Sequence, residues 1–104
     1  MRPEYYGDFY RRYSSYAKDF AGNKIYKIAC EPNTADYHWT DVLMREAGKY
    51  MDGLSLHYYT MPGKSWKDKG AATCFDKGDW FNTMKKTLYM DELINKHATI
   101  VFVK

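Results

Sequence analysis

The stretch Asp52-Gly53-Leu54-Ser55-Leu56-His57-Tyr58-Tyr59 decides how the chain is read. Asp-Gly interrupts whatever precedes it, and the apolar and aromatic residues that follow predict a short strand over 54–59. Upstream, Trp39, Leu43, Ala47 and Tyr50 recur at helical spacing with Val42 and Glu46 beside them, so a helix is expected over 39–50. Before it, Lys24-Ile25-Tyr26-Lys27-Ile28-Ala29-Cys30 reads as another strand. That strand should stop at Glu31-Pro32-Asn33, because proline cannot donate to a ladder. Two short strands separated by a helix make a βαβ unit and imply an α/β fold with a parallel sheet. Burial of the strands on both faces would explain why their residues run apolar rather than alternate.

Further out, Pro3 and Glu4 suit a first helical turn. Tyr6, Phe9, Tyr13, Tyr16 and Phe20 follow at spacings of three and four, predicting a helix over 3–20 whose aromatic stripe faces the core. Gly22-Asn23 can end it, since either residue tolerates a left-handed conformation. After the second strand, residues 60–77 show no period, a loop long enough to suggest function. Asp76, with Asp79 three residues on, offers a helix N-cap. The helix behind it should reach about Asn95, with Phe81, Met84 and Leu88 inward and Lys85 and Lys86 outward. Thr99-Ile100-Val101-Phe102-Val103 is a compact β-type run, either a third strand or an abrupt terminus. The order is therefore α-β-α-β-α, with a final β as an option.

Composition narrows the function. The 104 residues allow one small domain at most. Sixteen Lys and Arg against 13 Asp and Glu give a net charge of +3, and the positive residues are scattered, so no nucleic-acid partner is expected. No run approaches the ~20 apolar residues of a membrane span, and the polar start Met1–Asp8 is no signal peptide. Two distant cysteines outside any CxxC pattern make neither a disulfide framework nor a zinc site, which points to a reducing cytoplasm. The aromatic content is high at 18%, yet its helical spacing suits packing rather than base stacking.

In α/β folds, ligands bind where the chain leaves the carboxyl ends of the strands. Two places qualify here: residues 30–33, and His57 with the loop after Tyr59. His57 is either a buried, hydrogen-bonded packing residue or a polar group that orients a substrate hydroxyl or a carboxylate. Strand alternation would put Tyr59, not Tyr58, on the side of His57. A tyrosine there can donate a hydrogen bond to a carboxylate nucleophile and help keep it ionised. Glu31 is a ligand-facing carboxylate or a solvated loop residue. Trp66 and His38 lie in loops on the same side, Trp66 as a sugar platform or a packing anchor. Cys30 reads as a buried, inert thiol, and His97 as a partner for its helix's carboxyl terminus. GxGxxG, Walker, GxSxG and HExxH motifs are missing from the sequence, and no spacing brings His38, His57 and a carboxylate together for a metal. No cofactor is expected.

Several stretches resemble glycoside hydrolase family 51, the intracellular α-L-arabinofuranosidases. They are Met1-Arg2-Pro3-Glu4-Tyr5-Tyr6, Asn23 through Cys30, and above all Tyr50-Met51-Asp52-Gly53-Leu54-Ser55-Leu56-His57-Tyr58-Tyr59-Thr60. Trp39-Thr40-Asp41-Val42-Leu43-Met44 and Trp80 to Glu92 support them. The resemblance implies part of a (β/α)₈ barrel, with 24–30 as strand five and 54–59 as strand six. A full barrel takes ~250 residues. Retaining hydrolysis in such enzymes uses two carboxylates about 5–5.5 Å apart. In the family these belong to an Asn-Glu pair just before a segment like Met1-Arg2-Pro3 and to an Asp-Glu-Trp motif beyond a segment like Ile100. Neither motif is in the sequence. The resemblance thus implies a fragment of a retaining α-L-arabinofuranosidase, inactive alone, whose parent removes arabinofuranosyl residues from arabinan or arabinoxylan. Of the substrate-binding set, His57 and Tyr59 match the family's His-x-Tyr and Cys30 matches the end of strand five. Glu31 has no counterpart there, and Val101-Phe102-Val103-Lys104 leaves the family's pattern, as a truncated or frame-shifted end would. The alternative is a non-catalytic sugar-binding or self-associating α/β module. Exposed sheet edges would favour self-association in either case.

Overall fold

The computed structural model of the chain describes residues 1–103, apart from the side chains of Glu31 and Pro32. Helix α1 covers Pro3–Ser14, strand β1 Ile28–Asn33, helix α2 Tyr37–Ala47 and strand β2 Gly53–His57. Helices α3, Lys77–Thr87, and α4, Tyr89–Val103, complete the order. β1 and β2 pair in parallel, Ile28 opposite Gly53, Ala29 opposite Leu54 and Cys30 opposite Ser55. One residue is then skipped on β1, and Asn33 meets His57. The βαβ unit expected from the sequence is therefore present, with α2 as its crossover and a 3₁₀ turn, Gly48–Tyr50, between α2 and β2.

The core is small and centres on α2. Ala29 of β1 and Leu43 and Ala47 of α2 are fully buried, and Tyr6, Tyr10, Trp39, Met51 and Leu54 pack against them. Burying a residue such as Leu43 stabilises by about 1.5–3 kcal/mol. α1 crosses α2 closely at Gly7, where an added Cβ would lie 3.0 Å from the Cβ of Glu46. α4 packs on α2 from the other side and buries Leu93 and His97.

Several local expectations are corrected. α1 stops at Ser14 rather than near Phe20, because the Ser14 and Ser15 hydroxyls donate to the carbonyls of Arg11 and Arg12 and close the last turn. Its buried side is Tyr6, Gly7, Tyr10 and Ser14, whereas Tyr13, Tyr16 and Phe20 are exposed. Tyr5, Phe9 and Tyr13 form a ladder of rings on the outside instead. β1 begins at Ile28, not Lys24, since Asp52 takes over the pairing before it: its carboxylate accepts from the Lys27 amide and its carbonyl from the Tyr26 hydroxyl. β1 continues to Asn33 because the skipped register lets pairing resume beyond the proline. The sheet is covered on one face only, so Ile28 and Cys30 are exposed rather than buried.

The capping box at Asp76 and Asp79 is present. The helix after it is two helices, α3 and α4, separated at Leu88. α3 buries none of its residues, so Phe81, Met84 and Leu88 face outward. Residues 99–103 continue α4 and are not a strand, since a short apolar run fits a helix face as well as a ladder. Lys104 lies outside the described residues. No helix among them is long and apolar enough to cross a membrane. The radius of gyration is 17.6 Å, against about 13 Å for a compact domain of ~100 residues.

Gly7→Leu is expected to destabilise the chain by about 1–3 kcal/mol, because the side chain must enter the α1–α2 contact; an unchanged thermal midpoint would contradict that contact. Burial raises the pKa of Tyr10, and burial with the nearby Tyr89 phenol raises that of Tyr37. The folded state thus holds both protons more tightly than the unfolded chain. That contribution is complete below about pH 10 and is lost as pH rises through the folded values. Tyr37→Phe should flatten the alkaline loss in denaturant midpoints measured against pH, and an identical slope in the variant would count against it.

Candidate functional site

The carboxyl ends of both strands come together at Asn33 and His57. The amide of Thr34 donates to the His57 carbonyl at 3.2 Å, and the Thr34 hydroxyl donates to the Asn33 side-chain oxygen at 3.0 Å. Thr34 has φ of 60°, a left-handed conformation that a β-branched residue keeps only when its neighbours hold it.

His57 is exposed at this end and its ring is oriented by the strand behind it. The Ser55 hydroxyl donates to the Ala29 carbonyl at 3.3 Å, and His57 Nε2 lies 3.3 Å from the same hydroxyl. Because the Ser55 proton is spent on a carbonyl, Nε2 carries the ring hydrogen and donates. Nδ1 is then the acceptor of the neutral ring, suited to a hydroxyl donor such as that of a sugar. Ser55 was not singled out in the sequence, although it stands two residues before His57 on the same strand face.

The loop after β2 gathers a second group. Tyr59 and Trp66 meet edge to face with ring centroids 5.5 Å apart, and both are largely exposed. The Lys69 ammonium sits 5.4 Å from the Trp66 centroid. The Ser65–Asp68 turn holds Trp66, each residue's amide donating to the other's carbonyl. From α3, the Lys86 ammonium donates to the carbonyls of Met61 and Gly63, both at 3.0 Å, and fixes the start of the loop.

The structure thus brings Tyr59 to Trp66 and His57 to Ser55. No hydrogen bond or ring contact joins His57 to Tyr59 among the described residues, and β2 ends at His57, so strand alternation does not extend to Tyr59. Cys30 stands opposite Ser55 in the ladder; its amide donates to the Tyr6 hydroxyl at 2.8 Å and its carbonyl accepts from Trp39. The side chain of Glu31 lies outside the described residues. His38 is not in a loop but exposed on α2. His97 lies mid-helix, buried against α2, rather than at its helix end. A cleft of about 460 Å³ opens at the opposite end of the strands, lined in part by Lys18, Lys24, Lys49 and Asp52. Among the described residues no three His, Cys, Asp or Glu side chains gather closely enough to hold a metal ion.

Parallel strands joined by a helix, with polar and aromatic side chains at their carboxyl ends, are the arrangement on which α/β folds place ligand sites. No protein-family model matches the sequence. The chain is 54% identical, over 97% of its length, to an intracellular exo-α-L-arabinofuranosidase of Bacteroides ovatus. It superposes with a TM-score of 0.91 and 53% identity on a crystal structure of the GH51 arabinofuranosidase from Xanthomonas axonopodis pv. citri, again over 97% of its length. In sequence and fold it corresponds to a stretch of a glycoside hydrolase family 51 arabinofuranosidase. The chain spans about 20% of the length of each of these two proteins.

Ser55→Ala should release the His57 ring at a cost of about 0.5–1.5 kcal/mol. Imidazole ¹⁵N shifts in the variant are expected to move from a single Nε2–H tautomer toward a mixture. Unchanged shifts would show that Ser55 does not orient the ring.

Proposed function

We propose that the 104 residues form one segment of a retaining α-L-arabinofuranosidase's catalytic (β/α)₈ barrel, with β1 and β2 as its strands five and six. In this reading the segment supplies substrate contacts and not the catalytic carboxylates. His57 accepts from a sugar hydroxyl through Nδ1, and Tyr59 and Trp66 form an aromatic wall for the arabinofuranosyl ring. Cys30 and Glu31 border the same end of β1. The substrate class is arabinofuranosyl-containing oligosaccharide, as in arabinan or arabinoxylan, and the setting is intracellular, like that named for the Bacteroides relative. The observation that carries the reading is the TM-score of 0.91 at 53% identity to an arabinofuranosidase, supported by the parallel register that brings the carboxyl ends of both strands together.

The elongated shape fits a segment that packs against further βα units. Double displacement needs two carboxylates about 5–5.5 Å apart, so the chain alone should not turn over an aryl α-L-arabinofuranoside. Titration with arabino-oligosaccharides should shift the His57 and Trp66 resonances saturably, and Trp66→Ala should weaken binding at least about fivefold. Turnover by the purified chain, or sugar-independent spectra, would contradict this function.

A second reading is self-association of the chain. Ile28, Phe81, Met84 and Leu88 are exposed, and a two-stranded sheet has two unpaired edges. Sedimentation should reveal dimers or larger species at micromolar concentration; a strictly monomeric folded chain would rule this out.

A further inference from the structure

We propose that His97, on α4, is a positioning residue for His57 and acts through Thr34. Its relevance to sugar recognition rests on the function proposed above; the coupling itself does not. His97 is 4% exposed and lies 57 and 63 residues along the chain from its two partners. Nε2 is 2.8 Å from the Thr34 carbonyl, and Nδ1 is 2.9 Å from the hydroxyl of fully buried Thr40. A carbonyl only accepts, so Nε2 carries a hydrogen and donates it to Thr34. The ring also lies against Tyr37, centroids 4.7 Å apart.

Packing α4 onto α2 does not call for an imidazole at this place. Leu93, one turn earlier on the same face, is fully buried and does that with carbon alone. A buried imidazole has a desolvation cost that its hydrogen bonds must offset, and one of those bonds leaves α2 for the strand-end turn. That turn needs holding. Thr34 stands at φ 60°, and three of its groups are engaged: the amide with His57, the hydroxyl with Asn33 and the carbonyl with His97. His97 therefore fixes the Thr34 peptide, whose amide in turn fixes the backbone of His57. The histidine at the carboxyl end of β2 is thus linked to α4 through Thr34.

The test compares amide exchange of Thr34, the local reporter, with that of Leu43 in the core. In His97→Phe, which keeps a ring against Tyr37, Thr34 exchange should rise at least about tenfold more than that of Leu43, and the His57 ring shifts should move. His97→Gln keeps a donor for the Thr34 carbonyl and should restore Thr34 to within about threefold of wild type. Thr40→Val removes the Nδ1 contact and should leave Thr34 protected. Equal increases at Thr34 and Leu43 in His97→Phe, or no rescue by His97→Gln, would overturn the proposal. Should His97→Phe not fold, His97→Asn, too short to reach Thr34, is read by the same criteria. Titrating arabino-oligosaccharide into these samples separates the two ideas: Thr34 coupling without sugar binding supports the positioning role and contradicts the proposed function.

Discussion

Two parallel strands cannot be joined by a tight turn; the chain must travel back along the sheet before the second strand begins. In this protein α2 makes that return, and the remaining elements are arranged around it. Ala29 on the strand and Leu43 and Ala47 on the helix form the contact that holds α2 to the sheet. α1 reaches the same helix through the close approach at Gly7, and α4 reaches it through Leu93 and His97. Because both strands point the same way, Asn33, Thr34 and His57 finish at one end, where a ligand face can form.

That face is supported from behind by polar contacts rather than by apolar burial. Ser55 sets the ring of His57, Lys86 holds the carbonyls at the start of the following loop, and His97 holds the Thr34 turn. Each support comes from a different element: β2 itself, α3 and α4. Exposed residues such as His57 and Trp66 gain fixed directions from such second contacts.

The βαβ unit, the parallel sheet and the capping box at Asp76 were legible in the sequence, because each has a local signal: helical spacing in 39–50, Asp-Gly before β2, and paired aspartates three residues apart. The orientation of α1 was not. Aromatic residues at 5, 6, 9, 10 and 13 share one broad arc of about 140° at ~100° per residue, so spacing alone cannot choose which edge of it is buried. Gly7 carries the missing information, since only the absence of a side chain admits α2 so closely. The end of α4 was misread because Ile100, Val101 and Val103 favour strands, whereas packing of Leu93 and His97 on α2 keeps them helical. His57, Tyr59 and Trp66 stand out in the sequence from their position at and beyond a strand end. The contacts of Ser55, Thr34 and His97 do not, because they depend on a pairing register and on approaches across 57 or more residues.

The account rests on the parallel register that unites Asn33, Thr34 and His57. Cross-strand nuclear Overhauser contacts and the through-hydrogen-bond coupling from the Thr34 amide to the His57 carbonyl test it directly in the purified chain. Contacts of Cys30 with Ser55 and of Asn33 with His57, together with that coupling, are predicted. An antiparallel pattern, or a Thr34 amide coupled to any other carbonyl, would contradict it.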